Sequence, residues 1–322
     1  MQRALICIGV ILWVVSAQAQ QYDSLTQKMK RALADKFPST RILNVEYKQL
    51  APYKTTLETK DGQQVQDYKI KSFEQLRFDA NIPLVKRPQW VWSASVHYQY
   101  TSFDGQLENQ QPGRLNSFSG DFHYHSSGLN LTHFRRLFNK PAIFNASVHV
   151  DGSEQHFERV RGLLTGVVVL KHTAETTISL GVLAILEPSV ELPILPVFSY
   201  ERRFENQWTL DITLPQKVML RKQLFDHSRI SMGSQLNKTS FYSYDQPSGT
   251  HEFRQLEINS GITYERTFGH ALIATIKTGM QNTFNARIFE KEKSFKNYAV
   301  ENSPKPSFYL SAGISYNPFA KK

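Results

Sequence analysis

The stretch Trp90-Val91-Trp92-Ser93-Ala94-Ser95-Val96-His97-Tyr98-Gln99-Tyr100-Thr101 decides the fold. Trp90, Trp92, Ala94, Val96, Tyr98 and Tyr100 share one parity, and Val91, Ser93, Ser95, His97, Gln99 and Thr101 share the other. Successive side chains of a strand point to opposite faces, so this segment suits a wall with an apolar medium on one side and water or protein on the other. Soluble strands average roughly 5–6 residues, whereas a tilted strand crossing a bilayer needs about 9–11. The length of the run favours the second case.

The same alternation recurs along the chain. Leu76, Phe78, Ala80 and Ile82 oppose Gln75, Arg77, Asp79 and Asn81, and Phe144, Ala146, Val148 and Val150 oppose Asn145, Ser147, His149 and Asp151. Leu256, Ile258, Ile262 and Tyr264 oppose Gln255, Glu257, Asn259 and Glu265, while Leu272, Ala274, Ile276 and Met280 oppose Thr275, Lys277 and Gln281. Turn signals at Asp104-Gly105, Pro112-Gly113, Asn139-Lys140-Pro141, Asp151-Gly152, Glu205-Asn206, Pro247-Ser248-Gly249 and Phe268-Gly269-His270 separate the runs. The expectation is an all-β, antiparallel up-and-down transmembrane β-barrel of roughly 12–14 strands, 14 being the central count and 16 the upper one. An even number returns both ends of the barrel to the periplasmic side. Between Ser117 and Phe138 the apolar phase changes near Ser126-Ser127-Gly128, which fits one long bulged strand or two short ones.

Aromatic residues make up 12% of the chain, and Trp90, Trp92, Tyr98, Tyr100, Tyr264 and Tyr316 fall near strand ends, where an interfacial girdle would place them. The final strand sets Phe308, Leu310, Ala312, Ile314 and Tyr316 against Tyr309, Ser311, Gly313 and Ser315. Such an aromatic-ended terminal strand resembles the signal read by barrel-insertion machinery, although Asn317 to Lys322 follow it. The rival fold is a secreted soluble β-sandwich or lipocalin-like barrel, whose apolar faces would close on a common core.

The beginning of the chain reads differently. Arg3, an apolar stretch from Ala4 to Val15 and the small-residue site Ala17-Gln18-Ala19 form a secretory signal, residues 1–19, with cleavage expected after Ala19. The single cysteine, Cys7, falls inside it, so the mature chain has no thiol for disulfides, Cys-ligated zinc or nucleophilic chemistry. Residues 20–38 form a second segment, in which Leu25, Met29, Leu33 and Phe37 recur at helical spacing before Pro38. This predicts a short N-terminal amphipathic helix at the periplasmic rim, or a plug in the lumen. The barrel occupies residues 39–322. Its most apolar stretches, Gly162 to Leu170 and Ile178 to Leu186, are too short for spanning helices. The net charge of +10 is scattered and forms no basic block, so no nucleic-acid partner is expected.

Several segments carry a family resemblance: Lys140 to Val148, Phe157-Glu158-Arg159-Val160-Arg161-Gly162, Leu170-Lys171-His172-Thr173, and Leu192-Pro193-Ile194-Leu195-Pro196-Val197-Phe198-Ser199-Tyr200. Arg203-Phe204 to Trp208 and Leu214-Pro215 extend the pattern. Together they resemble an uncharacterised family of outer-membrane β-barrels from Bacteroides-like bacteria, a domain of unknown function. The resemblance runs from about Arg41 to Tyr316. It implies fold and location and brings no catalytic residues.

The search for chemistry finds one candidate. Outer-membrane phospholipases and lipid A deacylases pair a His with a Ser, and His123-Tyr124-His125-Ser126-Ser127 offers His125 as base and Ser127 as nucleophile on one strand face. The expected Asn after the Ser is missing, and parity turns His123 and His125 to the polar side with Asp121. His123 and His125 could also give two metal ligands, but the sequence supplies no third. The polar face holds Arg77, Asp79, His97, Asp121, His149, Arg161, Asp211, Arg221, Glu257, Glu265 and Lys277, which fill the lumen or line a narrow channel. Loops at Gln106 to Arg114, Tyr242 to Glu252 and Phe289 to Pro306 could engage a partner. The expected function is non-enzymatic, a narrow pore or a structural or accessory envelope protein, needing no cofactor or metal. Its partners would be outer-membrane lipid and the insertion machinery. A lipid hydrolase and a soluble binding protein are the alternatives.

Overall fold

A computed structural model describes residues 36–62, 65–108, 117–244, 249–269 and 271–318. The expected signal, the predicted helix before Lys36, and the Pro112-Gly113 turn lie outside these residues. A 3-10 turn at Pro38–Thr40 leads into the first strand.

Sixteen strands follow among the described residues. The first six are β1 (Leu43–Leu50), β2 (Tyr53–Thr59), β3 (Val65–Lys86), β4 (Trp90–Leu107), β5 (Ser117–Leu137) and β6 (Lys140–Gly152). Then come β7 (Phe157–His172), β8 (Thr176–Leu186), β9 (Ile194–Arg203), β10 (Trp208–Leu214) and β11 (Lys217–Phe225). The last five are β12 (Ser228–Ser243), β13 (His251–Phe268), β14 (Leu272–Glu290), β15 (Tyr298–Pro304) and β16 (Ser307–Tyr316). Each pairs antiparallel with its neighbours, and β1 pairs with both β3 and β16, so the sheet closes on itself.

The staves of this barrel number fourteen, because two of them are broken. β1 and β2 both pair with β3, and β15 and β16 both pair with β14. Pro52 interrupts the first stave and Pro304 and Pro306 the second, at the closing seam where β2 meets β15 and β1 meets β16. Proline has no N–H to give to a ladder, which accounts for both breaks. The connections on the side of the chain ends are short, such as Phe138-Asn139, where both residues adopt positive φ of 51° and 59° as a two-residue hairpin requires. The far end has the longer connections, including residues 187–193 and 291–297.

The faces separate by medium. Val45, Trp92, Leu129, Val148, Leu180, Ile262, Ile276 and Ile314 are exposed on the outside, while Asn44, Lys48, Gln75, Asp211 and Glu257 are buried inside. A sandwich would bury the first set, so the closed ladder with an apolar exterior replaces that alternative.

Three expectations are corrected here. Ser117–Leu137 is one strand with no register shift against β4 or β6. Its phase change has a different cause. Outward residues on β5 run Leu131, Leu129, then Ser127, His125, His123 and Asp121; those on β3 run Phe78, Leu76, then Glu74 and Ser72. At the same height the inward positions turn aromatic, with Phe73, Phe103, Phe118 and Phe122. The strands leave the apolar belt at this level, with water outside and a core within. Asp104-Gly105, expected as a turn, therefore lies within β4, opposite Ser119 and Phe118. Of the loop expected at Phe289 to Pro306, Phe289 and Glu290 belong to β14 and residues 298–304 form β15.

Above the belt β12 turns into the barrel. Gly233, Gly261 and Gly279 pair across β12, β13 and β14 on the lumenal face, and a Cβ on Gly261 would stand 2.0 Å from the Thr278 carbonyl oxygen. Beyond these glycines Thr239, Ser240, Phe241 and Tyr242 are all buried, so both faces of β12 are covered by protein. Thr239 receives a hydrogen bond from Gln75 Nε2 at 3.3 Å, and Phe241 stacks on Phe122 of β5 with ring centroids 4.0 Å apart. Phe253 stacks on the other side of Phe241 at 4.5 Å. With Leu50, Ile70, Phe73 and Tyr309 nearby as a second cluster, these rings fill the upper interior. Phe241→Ala should lower stability by about 3–5 kcal/mol, the usual cost of deleting a buried Phe. The check is the temperature at which the folded band converts on gels; exposed Phe268→Ala should leave it nearly unchanged, and equal shifts in the two variants would contradict the assignment.

Candidate functional site in the lumen

Charged residues inside the barrel gather into four groups; most lie at inward parity, whereas Glu252 and Arg254 share the parity of the outward Ile262 and are enclosed because this end of β13 is buried. At the far end three arginines meet three carboxylates. Arg159 Nη1 lies 3.0 Å from both Glu187 and Glu252, and Arg254 Nη2 lies 2.6 Å from Glu187 and 2.8 Å from Glu252. Arg161 contacts Glu187, Asp151 and, at 3.2 Å, Glu252. Tyr124 and Tyr242 donate to Asp151 at 2.8 and 3.0 Å, tying the cluster to β5 and β12.

The middle of the lumen holds Lys48, 2.7 Å from Glu257, and Lys277, 2.6 Å from Glu46. Nearer the chain ends, Arg41 reaches Glu265 at 2.7 Å, and Arg229 Nε donates to the same carboxylate at 3.0 Å. On the β9–β11 wall, Asp211 forms ion pairs with Lys36 at 2.7 Å, Lys217 at 3.1 Å and Arg221 at 3.4 Å. Removing one partner from such a pair leaves a charge buried without compensation, which costs more than the intact pair gains.

Cavities among the described residues lie between these groups. One of about 390 Å³ is lined by residues including Lys36, Glu46, Lys48, Arg77, Lys217 and Arg221. Another, about 340 Å³, is lined by Asp79, His97, Gln99, Tyr124, Ser126, His149, Lys238 and Ser240. His97 Nδ1 sits 2.7 Å from Asp79 there.

Ten of the eleven residues expected on the polar face lie within the barrel. Asp121 does not: it faces outward above the belt and accepts from Tyr100 at 2.7 Å. His125 and Ser127 are on the same outward face, with Ser127 exposed and His125 edge-on to the Phe157 ring at 5.2 Å. His123 bonds the Tyr98 hydroxyl at 2.7 Å. Among the described residues no three His, Cys, Asp or Glu side chains converge as a metal site. The far-end arginine and glutamate cluster was not expected beyond Arg161. Glu187-Pro188 follows an apolar strand as an ordinary loop would, and nothing in its neighbours signals the reach to β13.

These features define a closed, antiparallel barrel of fourteen staves with an ion-paired lumen. Residues 16–317 match the family described as a domain of unknown function (DUF6268), and the chain belongs to that family. No curated protein matches the sequence. Among solved structures the chain is similar to an outer membrane channel from Pseudomonas putida F1, at 12% identity and TM-score 0.37, covering 85% of this chain and 94% of that one. It is also similar to a FadL homologue of Pseudomonas aeruginosa, at 8% identity and TM-score 0.31, covering 87% and 90%. The β-domain of a Bordetella autotransporter aligns at 10% identity and TM-score 0.32, covering 85% and 99%. Likeness at this level carries no argument about activity.

Glu187 lies in the connection after β8. Burial alone raises its carboxyl pKa, but the charges of Arg254 and Arg161 outweigh burial and hold it well below the usual carboxylate range. A lowered folded value means that its contribution is complete above the ordinary Glu value of about 4.3 and is lost as pH falls below that toward and through the folded value. Glu187→Gln should therefore destabilise the barrel at neutral pH by about 3–5 kcal/mol and flatten its loss of stability below about pH 4.3. The measurement is the gel-shift temperature at a series of pH values. Parallel profiles for parent and variant would contradict this role.

Proposed function

We propose that this chain is an outer-membrane barrel of a Bacteroides-like bacterium, closed at rest, with a non-enzymatic structural or accessory role in the envelope. The observation that carries this reading is the contact of opposite walls at Phe122 and Phe241, 4.0 Å between centroids, beside the ion-paired far-end cluster. A standing pore would need that space.

The lipid location is supported by the belt of exposed aliphatic and aromatic side chains around a polar interior, the arrangement a bilayer selects. In this orientation the chain ends and short turns face the periplasm and the longer connections face outward. Residues 1–19 serve as the export signal, cleaved after Ala19, and β16 is the strand presented to the insertion machinery. The partners are that machinery and outer-membrane lipid, and the role uses no cofactor and no nucleic acid.

Reconstituted in planar bilayers, the parent protein should show no sustained conductance, and Phe122→Ala combined with Phe241→Ala should open measurable channels. Steady channels from the parent would overturn the closed reading. Lipid contact has its own test in Leu180→Arg, at a position 51% exposed on the belt. In vesicles it should cost about 2–4 kcal/mol, against less than about 0.5 kcal/mol for an exposed site in water. An unchanged unfolding midpoint would rule out the lipid location.

A further inference from the structure

The panel of β7, β8 and β9 departs from the polar lining of the rest of the lumen. Arg161 and Ser199 mark its inner face, and the same parity carries Leu163, Val167, Leu183, Ile185 and Val197. On the opposite face Leu164, Leu180 and Val182 are exposed to the outside. The panel is thus apolar on both sides, its inner residues are half-buried, and they stand apart from the aromatic core above. Neither water nor ion pairs complement an aliphatic inner wall.

The described chain begins beside this panel. Lys36 Nζ donates to Ser199 Oγ at 2.8 Å and pairs with Asp211 at 2.7 Å, and Ser199 is two positions along β9 from Val197. Lys217 donates to the Lys36 carbonyl and stands 4.7 Å from the centre of the Phe37 ring. From there the chain crosses the lumen to Arg41 at the foot of β1, where Arg41 holds Glu265.

The residues ahead of Lys36 supply a matching surface. Leu25, Met29, Leu33 and Phe37 recur every fourth position, with Lys28, Lys30 and Arg31 between them. As a helix, residues 23–35 would measure about 18 Å. The inner face from Leu163 to Val169 runs about 20 Å.

We propose that residues 23–35 dock inside the barrel as an amphipathic helix, with Leu25, Met29 and Leu33 packed on the apolar inner wall of β7–β9. The occupant of that wall is this chain's own N-terminal segment, anchored by Lys36 on Asp211 and Ser199. The proposal goes beyond a closed far end, since it concerns the other side of the lumen.

Because Cys7 is the only cysteine in the sequence, introduced pairs report cleanly in the processed protein. Leu33→Cys combined with Val197→Cys, or with Leu183→Cys, should crosslink in isolated membranes on mild oxidation, since a disulfide needs Cα atoms within about 7 Å. Leu33→Cys with the outward Leu180→Cys should not. The crosslinked protein would migrate differently until reduced. Where a pair fails to give the heat-shifting folded band, Leu33→Cys alone serves: protection from an impermeant maleimide until boiling is the expected result. Rapid labelling in the folded barrel, with no crosslink to either lumenal position, would overturn the proposal and place the segment at the rim or leave the wall to an apolar solute. A parent that conducts in bilayers and still crosslinks would overturn only the closed-barrel reading.

Discussion

The architecture turns on β12 leaving the wall. A barrel of eight strands has an interior that side chains can just fill, whereas fourteen enclose a space too wide for side chains alone. This chain meets that constraint by setting Phe241 of β12 on Phe122 of β5. The contact turns the upper part of β12, β13, β14, the two broken staves, β3, β4 and β5 into a chamber of about eight staves, a width that side chains can fill. The lumenal row of Gly233, Gly261 and Gly279 permits the turn, because at Gly261 and Gly279 a Cβ would press on backbone of the neighbouring strand.

The ion pairs follow from this geometry. Once β12 and β13 lie inside, Glu252 and Arg254 face the β7 arginines, and Arg159, Arg161, Arg254, Glu187 and Glu252 each have an opposite charge within hydrogen-bond reach. Pairs of this kind contribute modestly to net stability but penalise any alternative in which one partner moves away. That penalty fixes the connection of residues 187–193 against β13, and the Phe295 amide adds a bond to the Ser189 carbonyl at 3.2 Å.

Much of the barrel was legible because alternation depends only on which medium each face meets. The runs in β4, β6, β13 and β14, and the even stave count, followed from that rule. What escaped was contact between walls. Asp121 carries the same parity signal as a lumenal residue would, yet above the belt the water is outside and the core inside. The phase change at Ser126-Ser127-Gly128 held that information but reads equally well as a bulge. Asp104-Gly105 has the composition of a turn and serves as strand because Gly105 leaves room for the Phe118 ring, whose nearest atom would lie 2.5 Å from an added Cβ. Only the four consecutive buried residues from Thr239 to Tyr242 reveal β12 as covered on both sides, and no sequence period distinguishes them from an ordinary strand end.

The two sides of the barrel are therefore unlike. The staves from β12 through the closing seam to β5 rise above the belt and are sealed by stacked rings, which packing holds at any pH. The shorter β8, β9, β10 and β11 end near the belt, and what covers them is the connection after β8, held by Glu187 to Arg254 and Arg161. Charge-assisted contacts can be released by a competing ion, a proton or a bound partner, whereas an aromatic stack has no such handle. If the lumen ever opens, the physical asymmetry assigns the opening to the β6–β11 side, beneath that connection and next to the apolar inner wall.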